Sequence, residues 1–100
     1  MAKTYKLLPG GKHLKGHKSA QAQVITKDGI FGLVSYTTLV ARLDSEGWLT
    51  VYGLYSMTTR RHIGWFLKEY CNGTWFSVAR DVCVKDKMKY NIYTGEVQPI

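Results

Sequence analysis

The chain is predicted to fold as one α+β domain, a three- to four-stranded antiparallel sheet with one or two helices packed on one face. Three observations predict it. Residues 21–56 are rich in β-branched and aromatic side chains and are cut by two turn signals. After Thr59 the apolar period changes from that of a strand to that of a helix. From Met88 the alternation returns. One hundred residues, 45% of them hydrophobic, suffice for a single core with little surplus. That thin margin leaves room for a homodimer that hides further aromatic surface.

Residues 1–19 read as a basic arm, and residues 20–100 as the domain. Pro9-Gly10-Gly11 and Gly16 interrupt any regular element in the arm, although Lys3–Leu8 has the makings of a short strand. Gln21–Thr26 alternates weakly, and Lys27-Asp28-Gly29 is a hairpin signal. Phe31–Leu43 reads as one long strand, with Val34, Tyr36, Thr38 and Val40 on one face. Asp44-Ser45-Glu46-Gly47 turns the chain into a strand from Trp48 to Ser56, so residues 21–56 form a three-stranded meander.

A helix is expected from Arg60 to Tyr70. Ile63, Phe66, Leu67 and Tyr70 share one of its faces, and Asn72-Gly73 ends it. Gly64 weakens it, so packing on the sheet must hold it. Residues 75–84 fit a helix through Trp75, Ala79, Val82 and Cys83, and fit a strand less well through Phe76 and Val78. Met88, Tyr90 and Ile92 then mark a last strand, turned at Thr94-Gly95 and followed by a loose end.

The net charge is +7, and its placement matters more than its size. Lys3, Lys6, Lys12, Lys15 and Lys18 fall in the first 18 residues, which contain no acid. That leaves nine of the 14 basic residues against all seven acids. A basic arm on a nearly neutral domain points to a polyanionic partner, with Lys12, Lys15 and Lys18 as phosphate contacts. Two cysteines, Cys71 and Cys83, are too few for a disulfide framework and suit a reducing cytoplasm. No apolar run is long enough for a membrane span, and Pro9-Gly10-Gly11 cuts short any signal-peptide core.

The junction Tyr55-Ser56-Met57-Thr58-Thr59-Arg60-Arg61-His62-Ile63 holds the candidate site. A helix N-terminus carries unpaired N–H groups and positive dipole charge, which acids usually offset. Here two arginines and a histidine stand instead behind two threonines. Thr58, Thr59, Arg60, Arg61 and His62 therefore read as a binding site for phosphate or for a partner's anion. The plainer reading makes Thr58 or Thr59 the N-cap and leaves the arginines in solvent.

Enzyme chemistry has little support. Cys71 or Cys83 with His62 makes no known nucleophile signature. His62, Cys71 and Cys83 lack a fourth metal ligand, and His13 and His17 lie in the glycine-broken arm. No cofactor motif is present. Binding is better supported: Tyr36, Trp48, Tyr52, Trp65 and Trp75 offer stacking surface if exposed, and Trp, Tyr and Arg are the residues of protein hot spots.

Ser35-Tyr36-Thr37-Thr38-Leu39-Val40-Ala41, followed by Tyr55–Ile63, resembles a family of small, functionally unassigned domains encoded by bacteriophages and bacteria. Its pattern is SY-x-T-x-V-A, then YS-x-TT-x-x-H. The resemblance implies a phage-type accessory protein and supplies no activity; the lysine arm lies outside the pattern. By analogy, small phage proteins of unassigned role often inhibit host machinery, including defence nucleases. The resulting expectation is a non-enzymatic inhibitor that binds a host nucleic-acid enzyme or defence nuclease in the cytoplasm. The alternative is a nucleic-acid-binding protein using its basic arm and aromatic surface.

Overall fold

The computed structural model describes residues 11–16 and 21–100. Its fold is α+β, as expected, but the antiparallel sheet has seven strands rather than three or four. They run in chain order: β1 (Gly11–His13), β2 (Ala22–Lys27), β3 (Ile30–Ser35), β4 (Thr38–Leu43), β5 (Trp48–Val51), β6 (Met88–Asn91) and β7 (Val97–Pro99). Helix α1 (Met57–Tyr70) and a π-helix (Val78–Lys85) lie between β5 and β6.

Two local causes account for the three extra strands. The predicted strand Phe31–Leu43 is two strands, β3 and β4, joined by the two-residue turn Tyr36-Thr37 with Ser35 opposite Thr38. Tyr36 takes φ +57, a position that glycine or asparagine usually fills in such hairpins, so no residue type announced the turn. The two edge strands are three residues each, too short for alternation to reveal. β7 pairs with β6, so the end is not loose; Pro99 is tolerated because β7 is an edge. β1 pairs with β2 through Gly11, Lys12 and His13, and Leu14 is buried in the core. Residues 11–16 are thus folded against the sheet, while the rest of the expected arm falls outside the described residues.

The turns that were legible form as their residues require. Asp28 and Gly29 both have positive φ, as a tight hairpin with a right-handed strand twist demands. Asp44 accepts through Oδ1 from the N–H groups of Glu46 and Trp48. Gly47 has φ +91, and a Cβ there would collide with the ring of Tyr93. Asn91 closes the same corner: Nδ2 donates to the Glu46 carbonyl, and Oδ1 accepts from the N–H groups of Tyr93 and Thr94. The β4–β5 turn and the β6–β7 turn are therefore clamped by one side chain.

A single core lies between the sheet and the helices. Val24, Leu33, Val40, Ala41, Leu43, Leu49 and Val51 come from the strands; Ile63, Phe66, Leu67, Cys71, Ala79 and Cys83 come from the helical region. Both helices feed this cluster, so both cover one face. Between β3 and β4, Leu33 faces Ala41 while Val34 faces Leu39. Val40 is the extra residue of a β-bulge, which is how two consecutive residues, Val40 and Ala41, both enter the core. Of the predicted helix face, Ile63, Phe66 and Leu67 are fully buried. Tyr70 is half-buried and stacks on Phe66 with ring centroids 5.4 Å apart. Among the described residues, no helix is long and apolar enough to cross a membrane.

Two substitutions in α1 should move stability in opposite directions. Phe66→Ala empties the core and should cost about 3–5 kcal/mol. A Cβ at Gly64 meets nothing within 4 Å, so Gly64→Ala should add roughly 0.5–1 kcal/mol through helix propensity alone. Urea unfolding of both variants measures this; destabilisation by Gly64→Ala would reveal an unseen constraint on that helix face.

Candidate functional site

Helix α1 starts earlier than its apolar period suggests. Ser56, not Thr58 or Thr59, is the N-cap: its backbone is extended, and its Oγ accepts from the Thr59 N–H at 3.1 Å. Thr59 is the third helical residue. The first turn holds no acid, so the unusual charge pattern is real, and Arg60 and Arg61 stand exposed at the positive end of the helix.

Thr59 points inward. Its hydroxyl lies 3.0 Å from Ser35 Oγ, and the Ser56 hydroxyl donates to Thr59 Oγ1 at 3.2 Å. Ser35 Oγ lies in turn 2.8 Å from His62 Nδ1. We assign donation in one direction, Ser56 to Thr59 to Ser35 to His62 Nδ1, because that order gives each hydroxyl in the chain both a donor and an acceptor role. It makes Nδ1 an acceptor and places the imidazole proton on Nε2. Ser35 is 2% exposed, Thr59 4% and His62 1%. The rings of Tyr36 and Trp65 flank the imidazole, with centroids 5.9 Å and 5.5 Å away.

The last residue of β3 is thereby tied to the first turns of α1. Buried polar groups cost little when paired and much when orphaned, so this chain of bonds fixes the helix start against the sheet. Backbone strain flanks it on both sides. Tyr36 follows Ser35 with φ +57, and Tyr55 precedes Ser56 with φ +53. For a bulky aromatic residue each costs on the order of 1–3 kcal/mol. The Tyr55 ring lies back over Gly53, where a Cβ would come within 2.9 Å of Tyr55 Cζ.

The residues expected at the helix start divide between the core and solvent. Thr59 and His62 face the interior; Thr58, Arg60 and Arg61 face solvent. Lys12 lies exposed on β1, and Lys15 lies exposed just after it, its backbone N–H donating to Glu69 Oε2 at 3.0 Å. Lys18 lies outside the described residues. Ser35 and Ser56 were not among the residues expected to bind, and Tyr36 and Tyr55 entered only as stacking surface and as part of the junction; only the fold brings Ser35 next to Thr59.

The Ser35–His62 pair has the atoms of a nucleophile and its base, but both groups are buried. The thiols are equally enclosed. Burial, followed by the charge of Cys83, pushes Cys71 up to about 12, and burial pushes Cys83 up to about 11. Neither forms a useful thiolate near neutral pH. Among the described residues no group of His, Cys, Asp and Glu is placed to hold a metal ion.

A family model described as a family of unknown function (DUF8033) matches residues 6–87. The chain belongs to that family. The match takes in the whole buried network, both strained tyrosines and most of the lysine-rich segment. Comparison with curated proteins and with solved structures gives no match.

Ser56 is both the cap and the first donor of the network, and its substitution tests the two together. Ser56→Ala should cost about 1 kcal/mol, the usual loss at an N-cap. Ser56→Asp should recover most of that loss, because a carboxylate can accept from the Thr59 N–H and suits the helix dipole. Urea denaturation of the three proteins reads the order; equal loss for both variants would show that the cap bond contributes nothing.

Proposed function

We propose that this member of the DUF8033 family is a non-catalytic binding protein, an accessory protein of phage type that docks on a host nucleic-acid enzyme and blocks it. One observation carries the reading: Tyr36 and Tyr55 are held at positive φ at the two ends of the buried network and are both exposed, at 37% and 66%. Glycine would relieve the backbone at either position. Each ring touches the fold on one side, Tyr36 against His62 and Tyr55 over Gly53, and leaves much of itself in solvent for an external contact, for which backbone strain can be retained.

The surroundings fit a protein partner. Met57, exposed at 73%, opens α1 beside Tyr55, and Arg60 and Arg61 follow on the same helix start. Tyr52 is exposed where the chain leaves β5, its N–H bonded to the Val40 carbonyl beside the β3–β4 hairpin. Tyrosine, methionine and arginine are the side chains enriched at interface centres. Residues 29–43 and 47–68 contain no acid at all. Such a surface suits an acidic region of a partner, as the metal-binding carboxylates of nucleic-acid enzymes provide. The rigid network beneath reduces the ordering cost of binding.

Tyr55→Gly and Tyr36→Gly should leave stability within about 1 kcal/mol of the parent, or raise it, because released strain offsets lost contacts and added chain entropy. Partner affinity should fall about tenfold or more for each. The measurement begins with a tagged-protein pull-down from bacterial lysate, with and without nuclease treatment. Complex formation and substrate competition with the purified partner enzyme follow. A stoichiometric complex that survives nuclease and excludes the enzyme's substrate supports the reading. A complex lost on nuclease treatment overturns it in favour of nucleic acid, and full affinity in both glycine variants removes the tyrosines from the interface.

A further inference from the structure

We propose that the cleft between the end of β1 and the exposed side of α1 is a nucleotide site, with a base stacked on Trp65 and phosphate held by Lys15 and Lys68. The cleft has a volume of about 650 Å³, and its described lining is Lys15, Trp65, Lys68 and Glu69. Pockets of roughly 300–1,000 Å³ are the size that small molecules occupy. Trp65, Lys68 and Glu69 stand at i, i+3 and i+4, so one face of α1 presents them together. The opposite wall is fixed by the hydrogen bond from the Lys15 N–H to Glu69 Oε2, 3.0 Å long.

Chemistry selects the ligand class. Among the described residues the sole ion pair is Arg80 with Asp81, so neither Lys15 nor Lys68 is neutralised by a carboxylate. Glu69, the one acid in the cleft, already accepts the Lys15 N–H. An inorganic anion has no ring to stack on the indole, and a neutral aromatic would leave two ammonium groups without a counter-charge. A flat aromatic base joined to a phosphate uses both. Glu69 retains acceptor capacity for an exocyclic amino group of the base. The same chemistry is offered by a free nucleotide and by one nucleotide of a single strand. None of Tyr36, Tyr55, Arg60 or Arg61 takes part, so the site stands independently of the protein-binding reading.

The test is a two-dimensional ¹H–¹⁵N titration of the full chain with adenosine monophosphate, adenosine, inorganic phosphate and a single-stranded tetranucleotide. Adenosine monophosphate should give saturable shifts at the Trp65 indole N–H and at the amides of Lys15, Lys68 and Glu69. Adenosine and inorganic phosphate should each bind more weakly. Trp65→Leu should weaken adenosine monophosphate binding about fivefold or more without changing the phosphate response. Lys68→Glu, at an exposed position that the core does not need, should weaken it at least as much. Tighter binding of the tetranucleotide assigns the site to a strand, and equal or weaker binding assigns it to a free nucleotide. The proposal is overturned by the absence of saturable shifts, by phosphate alone reproducing the pattern and affinity, or by a folded Lys68→Glu protein that binds as the parent does.

Discussion

The chain of hydroxyls from Ser56 through Thr59 and Ser35 to His62 is the constraint on which the rest of this structure depends. It joins the end of a hairpin to the start of a helix across 24 and 27 residues of sequence. Three of its four side chains are almost wholly shielded from water. In that setting a hydrogen bond is worth little more than it replaces, yet an unmade one carries the full desolvation cost. The network therefore works mainly by exclusion: any slip of α1 along the sheet leaves buried donors and acceptors unmatched. Apolar packing of Ile63, Phe66 and Leu67 supplies the attraction, and the hydroxyls choose the register.

That division of labour sets which side chains of the helix start face solvent and which face the core. The same short segments that send Ser35, Thr59 and His62 inward send Tyr36, Tyr55, Arg60 and Arg61 outward. A rigid base allows the two strained tyrosines to persist, since backbone in the left-handed region survives where its surroundings over-determine it. The arginines gain nothing from the helix dipole, and no acid in the first turn offsets them. Strain and unfavourable charge thus fall together at one edge of the fold, a coincidence of the kind found at functional sites.

Much of the fold was legible because it follows local rules. Asp28-Gly29, Asp44 with Gly47, and Asn72-Gly73 each have a turn or cap chemistry that permits few conformations, and each forms as read. The helical face of α1 was legible from its period. The sheet was underestimated where sequence carries no punctuation. Ser-Tyr-Thr-Thr lacks glycine, proline, asparagine and aspartate, so its hairpin turn is encoded by what surrounds it rather than by the residues in it. Three-residue edge strands have too few positions to show a period. The stretch 75–84, read as helix over strand, is helical over Val78–Lys85, but its π winding lies beyond any residue pattern.

The directions of the side chains at the helix start were not legible. The spacing of Thr58–His62 correctly marked an unusual helix start, but a linear run cannot show which of its side chains turn inward. Ser35 is decisive and sits a whole hairpin away. The bonded residues are Ser35, Ser56, Thr59 and His62, while the neighbouring Thr38 and Thr58 are exposed.

A double-mutant cycle between Ser35→Ala and Thr59→Val, read by urea unfolding, tests the network most directly. Coupled sites in one hydrogen-bond network give an interaction energy of about 0.5 kcal/mol or more, and that is the predicted result. Stability losses that add to within about 0.3 kcal/mol would contradict it, and would leave the helix register to apolar packing alone.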